Sequence, residues 1–238
     1  MTSTSRFQPN RGDVRRFRRS NPLAHIIREL PSRIERMAAE LRCPPDGRVL
    51  DYGCADLPYR GFFPATVEYL AADLAGNPQA TVLVGDDGTL PVADGSVDVV
   101  LSTQVLEHVS DPVVYLGECH RVMRPGARML LSTHGFMTYH PDPVDLWRWT
   151  CAGLQEAIAR SGLDVVRFEG IMGLTATGFQ FVQDGVLYRL PRRIRPAFAG
   201  AMQALVMLAD RYESDEIRDR NALVFALIAE KPAAAVTP

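Results

Sequence analysis

Short apolar runs alternate with helix-length segments from residue 48 onward. The runs are rich in β-branched residues, and turn residues or helical stretches separate them. They lie at residues 48–51, 66–73, 81–84, 97–102, 127–132, 163–168 and 222–229. This alternation is typical of a mainly parallel sheet that helices cover on both faces. The pattern therefore predicts an α/β fold with a doubly wound, seven-stranded, mainly parallel sheet.

Residues with capping side chains mark the starts of several helices. Asp111 stands before a proline and Thr150 before a helical stretch, so each is predicted to begin a helix. Nearer the N-terminus, Asn21 precedes Pro22, and Ser32 has a glutamate three residues later. This region is therefore predicted to contain two successive helix starts.

Two segments do not fit the alternation. Residues 1–20 carry six arginines and one acid, with few core-forming residues, which predicts a flexible basic arm. Residues 21–238 are predicted to form a single domain, with a helical insertion at about 183–221 before the last strand. The insertion is predicted to be a cap or a homodimer contact. An amphipathic helix on a membrane surface is the alternative.

Composition narrows the possible partners and the compartment. The chain is 47% hydrophobic and 23% charged, with 26 basic and 28 acidic residues, so nothing favours nucleic acid as a partner. The four cysteines form no C-x-x-C pair, which favours a reducing, cytoplasmic setting over a disulfide framework or a zinc site. No apolar stretch reaches the ~20 residues of a membrane span, and no signal peptide is predicted.

The sharpest local feature is a glycine turn at residues 49–59, VLDYGCADLPY, where a strand meets a helix. Ligands of open parallel sheets bind beyond the carboxyl ends of the strands. Gly53 permits a close backbone approach there, and Asp73 stands twenty residues later at the end of the next strand. A carboxylate at that position can accept hydrogen bonds from the ribose hydroxyls of a nucleoside.

The turn does not suit a dinucleotide. The second and third glycine positions of G-x-G-x-x-G hold Ala55 and Pro58, and no basic residue lies within the loop to meet a phosphate. A nucleoside cofactor without phosphates fits better. A nicotinamide-dependent oxidoreductase remains an alternative, as does a catalytically idle binding module built on the same fold.

Four segments in order resemble the class I S-adenosylmethionine-dependent methyltransferases, in particular the type 11 group. They are the glycine turn, the strand end at 70–73, the segment 85–100, and the two strands at 102–109 and 124–132. The resemblance covers residues 47–172 and resumes at 222–231. It implies a Rossmann-like fold and S-adenosyl-L-methionine as the cofactor.

The resemblance also implies which residues hold the cofactor. Asp51 lies near the methionine part, Asp73 on the ribose, and Asp86 on the adenine amino group. The full set of expected cofactor contacts is Asp51, Gly53, Cys54, Ala55, Asp73, Leu74, Asp86, Asp87 and Gln104.

A dense cluster of polar and aromatic residues follows the fifth strand at 134–149. Histidine is well suited to act as a general base at neutral pH, so His134 and His140 are the expected bases, with His108 as the competitor. The acceptor is expected to contact Tyr139, Asp142, Asp145, Trp147 and Arg148.

Residues 104–108 resemble the E-x-x-E-H metal motif of small-RNA 2′-O-methyltransferases. Gln104 replaces the first acid and removes one hard anionic ligand, so no metal site is predicted. The expected function is methyl transfer from S-adenosylmethionine to a small-molecule or glycan-type acceptor, at oxygen or nitrogen, with a histidine base.

Overall fold

The computed structural model describes residues 20–141 and 144–233. Asp142, a predicted acceptor contact, lies outside these ranges. So does the predicted basic arm, except for its last residue. A seven-stranded sheet runs through the centre in the order β3-β2-β1-β4-β5-β7-β6. Its strands are β1 Arg48–Tyr52, β2 Glu68–Asp73, β3 Val82–Leu83, β4 Val97–Thr103, β5 Met123–His134, β6 Asp164–Gly173 and β7 Ala222–Glu230.

The sheet is mainly parallel, as predicted. Strands β1 to β5 pair in parallel, whereas β7 lies antiparallel between β5 and β6. The chain reverses its winding direction between β1 and β4, so the carboxyl ends of these two strands flank the crevice where ligands of such sheets bind.

Helices cover both faces of the sheet. They are α1 Ala24–Ala38, α2 Pro112–Val122, α3 Cys151–Arg160, α4 Leu174–Leu187, α5 Arg195–Tyr212 and α6 Asp215–Arg220. Buried side chains of α2 and α3 pack on one face, and those of α1, α4 and α5 on the other. None of the helices in the described ranges is long and apolar enough to cross a membrane.

Two of the predicted helix starts are confirmed. The Asp111 side chain accepts hydrogen bonds from the Val113 and Val114 N–H groups, and the Thr150 hydroxyl accepts one from Gly153. The prediction of two starts near the N-terminus is wrong, because α1 runs through Ser32 without a break and contains Pro31.

The insertion begins nearer the N-terminus than predicted. Strand β6 continues to Gly173 because β7 pairs with it along that length, as far as the Gly173–Ala222 pair. Helix α4 starts directly afterwards at Leu174, so the helical segment between the last two strands covers α4, α5 and α6.

Candidate active site

The glycine turn follows β1 at the carboxyl edge of the sheet. Gly53 has a φ of +88°, and its N–H donates to the Ala72 carbonyl at 2.8 Å. A Cβ on Gly53 would lie 2.4 Å from the Val105 Cγ2 atom. The left-handed backbone and the packing of Val105 therefore both require a glycine here, whether or not a ligand is bound.

Asp73 fixes the shape of this turn. Its Oδ2 accepts hydrogen bonds from the Ala55 N–H at 2.9 Å and from Asn77 Nδ2 at 2.7 Å. Its Oδ1 accepts one from the Leu74 N–H at 2.7 Å. Because a carboxylate offers about four lone-pair positions, Oδ1 retains capacity for one ribose hydroxyl rather than two.

Asp51 is a buried acid beneath the turn. Its side chain is almost fully enclosed, and its Oδ2 accepts a hydrogen bond from the Tyr69 hydroxyl at 2.7 Å. Burial raises the pKa of Asp51 to about 7, with Asp73 adding to the rise and the Tyr69 hydrogen bond opposing it. An acid held in this way gains most from a cation placed beside it.

The remaining predicted cofactor residues lie at the ends of neighbouring strands. Asp86 and Asp87 are exposed in the turn after β3, and hydrogen bonds from Thr89 lower the pKa of Asp87. Gln104 follows β4 in a left-handed conformation with a φ of +56°, and its Nε2 donates to Ser132 Oγ at 3.1 Å. Cys54 is buried and Leu74 is exposed.

These hydrogen-bond acceptors fit S-adenosylmethionine. The edge presents carboxylate acceptors at three successive strand ends, Asp51, Asp73 and Asp86. S-adenosylmethionine offers an ammonium group, ribose hydroxyls and an adenine amino group, which are all donors, and it carries no phosphate. The ends of β1, β2 and β3 would hold these three parts in that order.

The three predicted base candidates converge next to this edge. The ring centroids of His108, His134 and His140 lie 6.0–6.3 Å apart. His140 is exposed, whereas His134 is buried at the end of β5. Burial, with the nearby Arg148, His140 and His108, lowers the pKa of His134 to about 3. The His134 ring is therefore neutral at physiological pH.

Glu107 lies between two of these histidines and is not among the predicted site residues. Its Oε1 is 3.1 Å from His134 Nε2 and 3.9 Å from His108 Nε2, and its Oε2 accepts from the Thr133 hydroxyl. Burial raises the pKa of Glu107 to about 7. The motif resemblance at 104–108 drew attention to Glu107 as a metal ligand only.

Two buried polar atoms in this cluster have no aligned hydrogen-bond partner in the described part of the chain. They are Glu107 Oε1, whose approach to His134 is close but poorly directed, and His134 Nδ1. Buried unsatisfied atoms are uncommon in native proteins and concentrate at functional sites. No group of three or more metal-ligating side chains suited to a metal ion occurs in the described ranges.

The 134–149 loop is held in shape by Arg148. The guanidinium pairs with both oxygens of Asp145 and donates to the carbonyls of Met137, Thr138 and Trp147. Burial acts to raise the pKa of Asp145, but Arg148 and the His140 N–H outweigh it and hold the pKa at about 2. All five N–H groups of Arg148 are thus used within the loop.

The same loop lines an open cleft of about 300 Å³. Its walls include four of the predicted acceptor contacts, and the full lining is Met137, Tyr139, Asp145, Leu146, Trp147 and Arg148. The Trp147 indole donates to the Val109 carbonyl at 2.8 Å, which ties the loop to the segment after β4. The fold therefore brings the cleft, the histidines and the cofactor edge to one end of the sheet.

Sequence and structure comparisons both find methyltransferases among the proteins that the chain resembles. A family model described as "Methyltransferase domain" matches residues 62–131. The chain is 35% identical over 107 residues to a Mycolicibacterium smegmatis protein named "Probable S-adenosylmethionine-dependent methyltransferase", covering 42% of this chain and 40% of that one. It is 34% identical over 110 residues to the malonyl-[acyl-carrier protein] O-methyltransferase of Methylococcus capsulatus, covering 40% of each.

Among solved structures, the chain resembles phosphoethanolamine N-methyltransferase 2 of Haemonchus contortus in complex with S-adenosyl-L-methionine. The TM-score is 0.52 at 14% identity, covering 84% of this chain and 52% of that one. A likeness at this identity shows the fold alone, which is Rossmann-like. The sequence relatives make the chain similar to methyltransferases, one of which is named as S-adenosylmethionine-dependent. The chain spans 40% of the length of each of the two curated relatives.

Proposed function

We propose that the chain transfers a methyl group from S-adenosylmethionine to an oxygen or nitrogen of a small-molecule or glycan-type acceptor. The observation that carries this proposal is that three histidines converge beside the carboxylate acceptors that fit the cofactor. They are His108, His134 and His140, and the buried Glu107 lies with them. The bound cofactor supplies an electrophilic methyl group on a sulfonium. The chain supplies orientation and the handling of one proton.

His140 is the residue best placed to take that proton. It is exposed to an incoming acceptor, and its backbone N–H donates at 2.7 Å to Oδ2 of Asp145, which lines the cleft. A ring nitrogen of His140 would accept the proton of the acceptor as the acceptor bonds to the methyl carbon and the methyl–sulfur bond breaks, its electron pair leaving with the sulfur. Asp145, which accepts from the His140 backbone N–H, keeps a negative charge next to this residue and would favour the resulting imidazolium.

His134 and His108 serve as positioning residues in this scheme. His134 is neutral and enclosed, so it cannot meet an acceptor directly, but it lies between Glu107 and His140. His108 Nδ1 is hydrogen-bonded to the Val144 carbonyl, which fixes the ring with Nε2 toward Glu107. Arg148 and Asp145 shape the loop, while Tyr139 and Trp147 form apolar walls that would exclude water.

The test is formation of S-adenosylhomocysteine with a panel of phenols, amines and sugars, using His140→Ala, His134→Ala and His108→Ala. Loss of a positioned general base lowers turnover by about 10²–10⁴-fold without changing cofactor affinity. We expect that result for His140→Ala, with partial recovery on adding imidazole. His120→Ala, a half-buried histidine at the end of α2, is the matched control and should keep full turnover.

Two outcomes would contradict the assignment. Full turnover in both His140→Ala and His134→Ala would remove the 134–149 loop from the chemistry. Turnover lost both to a chelator and to His108→Ala would replace the base by a metal-assisted reaction.

A further inference from the structure

Helices α4 and α5 form an antiparallel pair whose solvent side is largely apolar. We call residues 174–212 the α4–α5 hairpin. Several of its large apolar or aromatic side chains are exposed, with Tyr212 at 78%, Tyr188 at 72%, Val182 at 55% and Leu208 at 53%. Exposed apolar side chains are ordinary when scattered singly, but a contiguous set of them marks an interaction surface.

The exposed positions recur at helical spacing. Along α4 and its C-cap they include Leu174, Gly178, Phe181, Val182, Gly185 and Tyr188, and along α5 they include Ala197, Ala201, Leu205, Leu208 and Tyr212. Thr175 on α4, and Pro196, Ala204, Met207 and Arg211 on α5, are exposed as well. Each helix therefore turns one apolar stripe to solvent and buries the opposite one. On α5, Leu205 is 43% exposed, whereas Met202 and Val206 are buried.

The charge on the hairpin is strongly one-sided. Residues 170–212 contain five arginines and only two acids, Asp184 and Asp210. Both acids are engaged inside the protein: Asp184 accepts from Gln180, and Asp210 pairs with His25 and Arg218. Within residues 174–212, no exposed acid balances the arginines of the outer surface; the exposed acids Asp215 and Glu216 follow on α6, beyond the end of α5.

The turn between the two helices concentrates this charge. Arg195 donates to the carbonyls of Tyr188 and Leu190, and it thereby holds the turn in shape. Three further arginines of the turn, at positions 189, 192 and 193, are exposed and form no ion pair within the described residues. A basic tip thus adjoins two apolar stripes.

We propose that the α4–α5 hairpin docks the protein on the surface of an anionic lipid bilayer. The apolar stripes would enter the interface, and Arg192 and Arg193 would meet acidic headgroups. A two-fold contact between copies that sets one tip against the other would bring the two arginine clusters together without acids to balance them. A nucleic acid would satisfy the arginines and leave the apolar stripes exposed.

Helix α4 contacts the 134–149 loop through its inner side. Asp184 of α4 interacts with the Thr138 side chain of the 134–149 loop, and its side chain is also hydrogen-bonded by Gln180. The docking proposal depends only on the hairpin, and it stands or falls independently of the proposed base.

The test is co-sedimentation of the full chain with vesicles of phosphatidylcholine alone or with about 30% phosphatidylglycerol. The variants are Arg192→Gln/Arg193→Gln at the tip and Val182→Gln/Leu208→Gln on the stripes, all exposed positions that a folded helix or turn tolerates. The matched control is Arg36→Gln/Arg160→Gln, two exposed arginines on α1 and α3. Thermal melting establishes that each variant is folded.

We expect binding to the anionic vesicles that weakens with added salt. Each neutralised arginine near a bilayer lowers partitioning about fivefold, so the tip variant should bind roughly 25-fold more weakly. The stripe variant should also bind more weakly, and the control should bind as the wild type does. Binding that neither hairpin variant reduces would assign the effect to another part of the chain and overturn the proposal.

Two further results would also overturn it. One is the absence of binding to anionic vesicles near physiological salt. The other is a dimer, detected by light scattering, that the stripe variant abolishes in protein that does not bind vesicles. That result would make the hairpin an interface between copies of the chain.

Discussion

Replacing Glu107 by glutamine should change how the stability of the protein depends on pH. Burial raises the pKa of this carboxyl from its ordinary 4.5 to about 7 in the folded chain. The difference is about 2.5 pH units, and each unit corresponds to about 1.36 kcal/mol, so ionising Glu107 costs the fold roughly 3 kcal/mol. Glutamine has nearly the same shape, keeps an acceptor for Thr133 and cannot ionise.

The sign of the effect follows from proton binding. Between pH 4.5 and about 7 the folded state holds the Glu107 proton and the unfolded state has lost it. The contribution of Glu107 to the free energy of unfolding therefore falls as pH rises through this window. Glu107→Gln does not lose this contribution to the free energy of unfolding, because glutamine does not ionise. Its stability relative to the wild type should rise by roughly 2–3 kcal/mol between about pH 5 and about pH 8.

The assay is urea unfolding of both proteins at the two pH values. Taking the difference between them removes the contributions of other titrating groups, such as Asp51, that both proteins share. Glu156→Gln, an exposed carboxylate on α3, is the control, and its difference from the wild type should not change with pH. The buried-acid interpretation would be refuted if the stability of Glu107→Gln relative to the wild type did not change with pH, or if it fell as the pH rose.

Three other predictions concern the cofactor edge. The affinity for S-adenosylhomocysteine should rise by up to tenfold per pH unit below about pH 7 and then level off, because Asp51 with a pKa of about 7 must ionise to meet the ligand ammonium. Asp51→Asn should abolish that slope in titrations at several pH values. Gly53→Ala should lower the free energy of unfolding by about 2–4 kcal/mol, through its φ of +88° and its overlap with Val105. Adding Val105→Ala should recover only part of this loss, and an unchanged melting temperature in Gly53→Ala would contradict the packing. Asp86→Asn should weaken cofactor binding less than Asp86→Ala, because it keeps a carbonyl acceptor for the adenine amino group. The reverse order in titrations would mean that Asp86 does not contact the adenine.

The sequence was most informative where local patterns determine the structure. Alternating apolar runs predicted all seven strands, and the capping side chains of Asp111 and Thr150 predicted the starts of α2 and α3. The extension of β6 to Gly173 was not predictable in this way. It depends on the pairing of β6 with β7, a strand some fifty residues away in the chain.

In the candidate site, too, the features set by local sequence patterns were predictable and those set by long-range contacts were not. The motif order placed the acids at the strand ends, and the density of polar residues identified the 134–149 loop. The roles of Glu107 and Arg148 could not be foreseen, because each depends on contacts with residues distant in sequence or on the folded path of the loop. Val105 against Gly53 is a further contact of this kind.

Calorimetric titration of S-adenosylhomocysteine into the wild type and Asp73→Ala tests the central claim most directly. We predict one site per wild-type chain, and a loss of about 1.5–3 kcal/mol of binding free energy in the variant, the range for a hydrogen bond to a charged group. Because Asp73 also holds the Ala55 N–H and Asn77, a melting curve must show that the variant is folded. No heat of binding to the wild type, or equal affinity in a folded Asp73→Ala, would contradict the placement of the cofactor at this edge of the sheet.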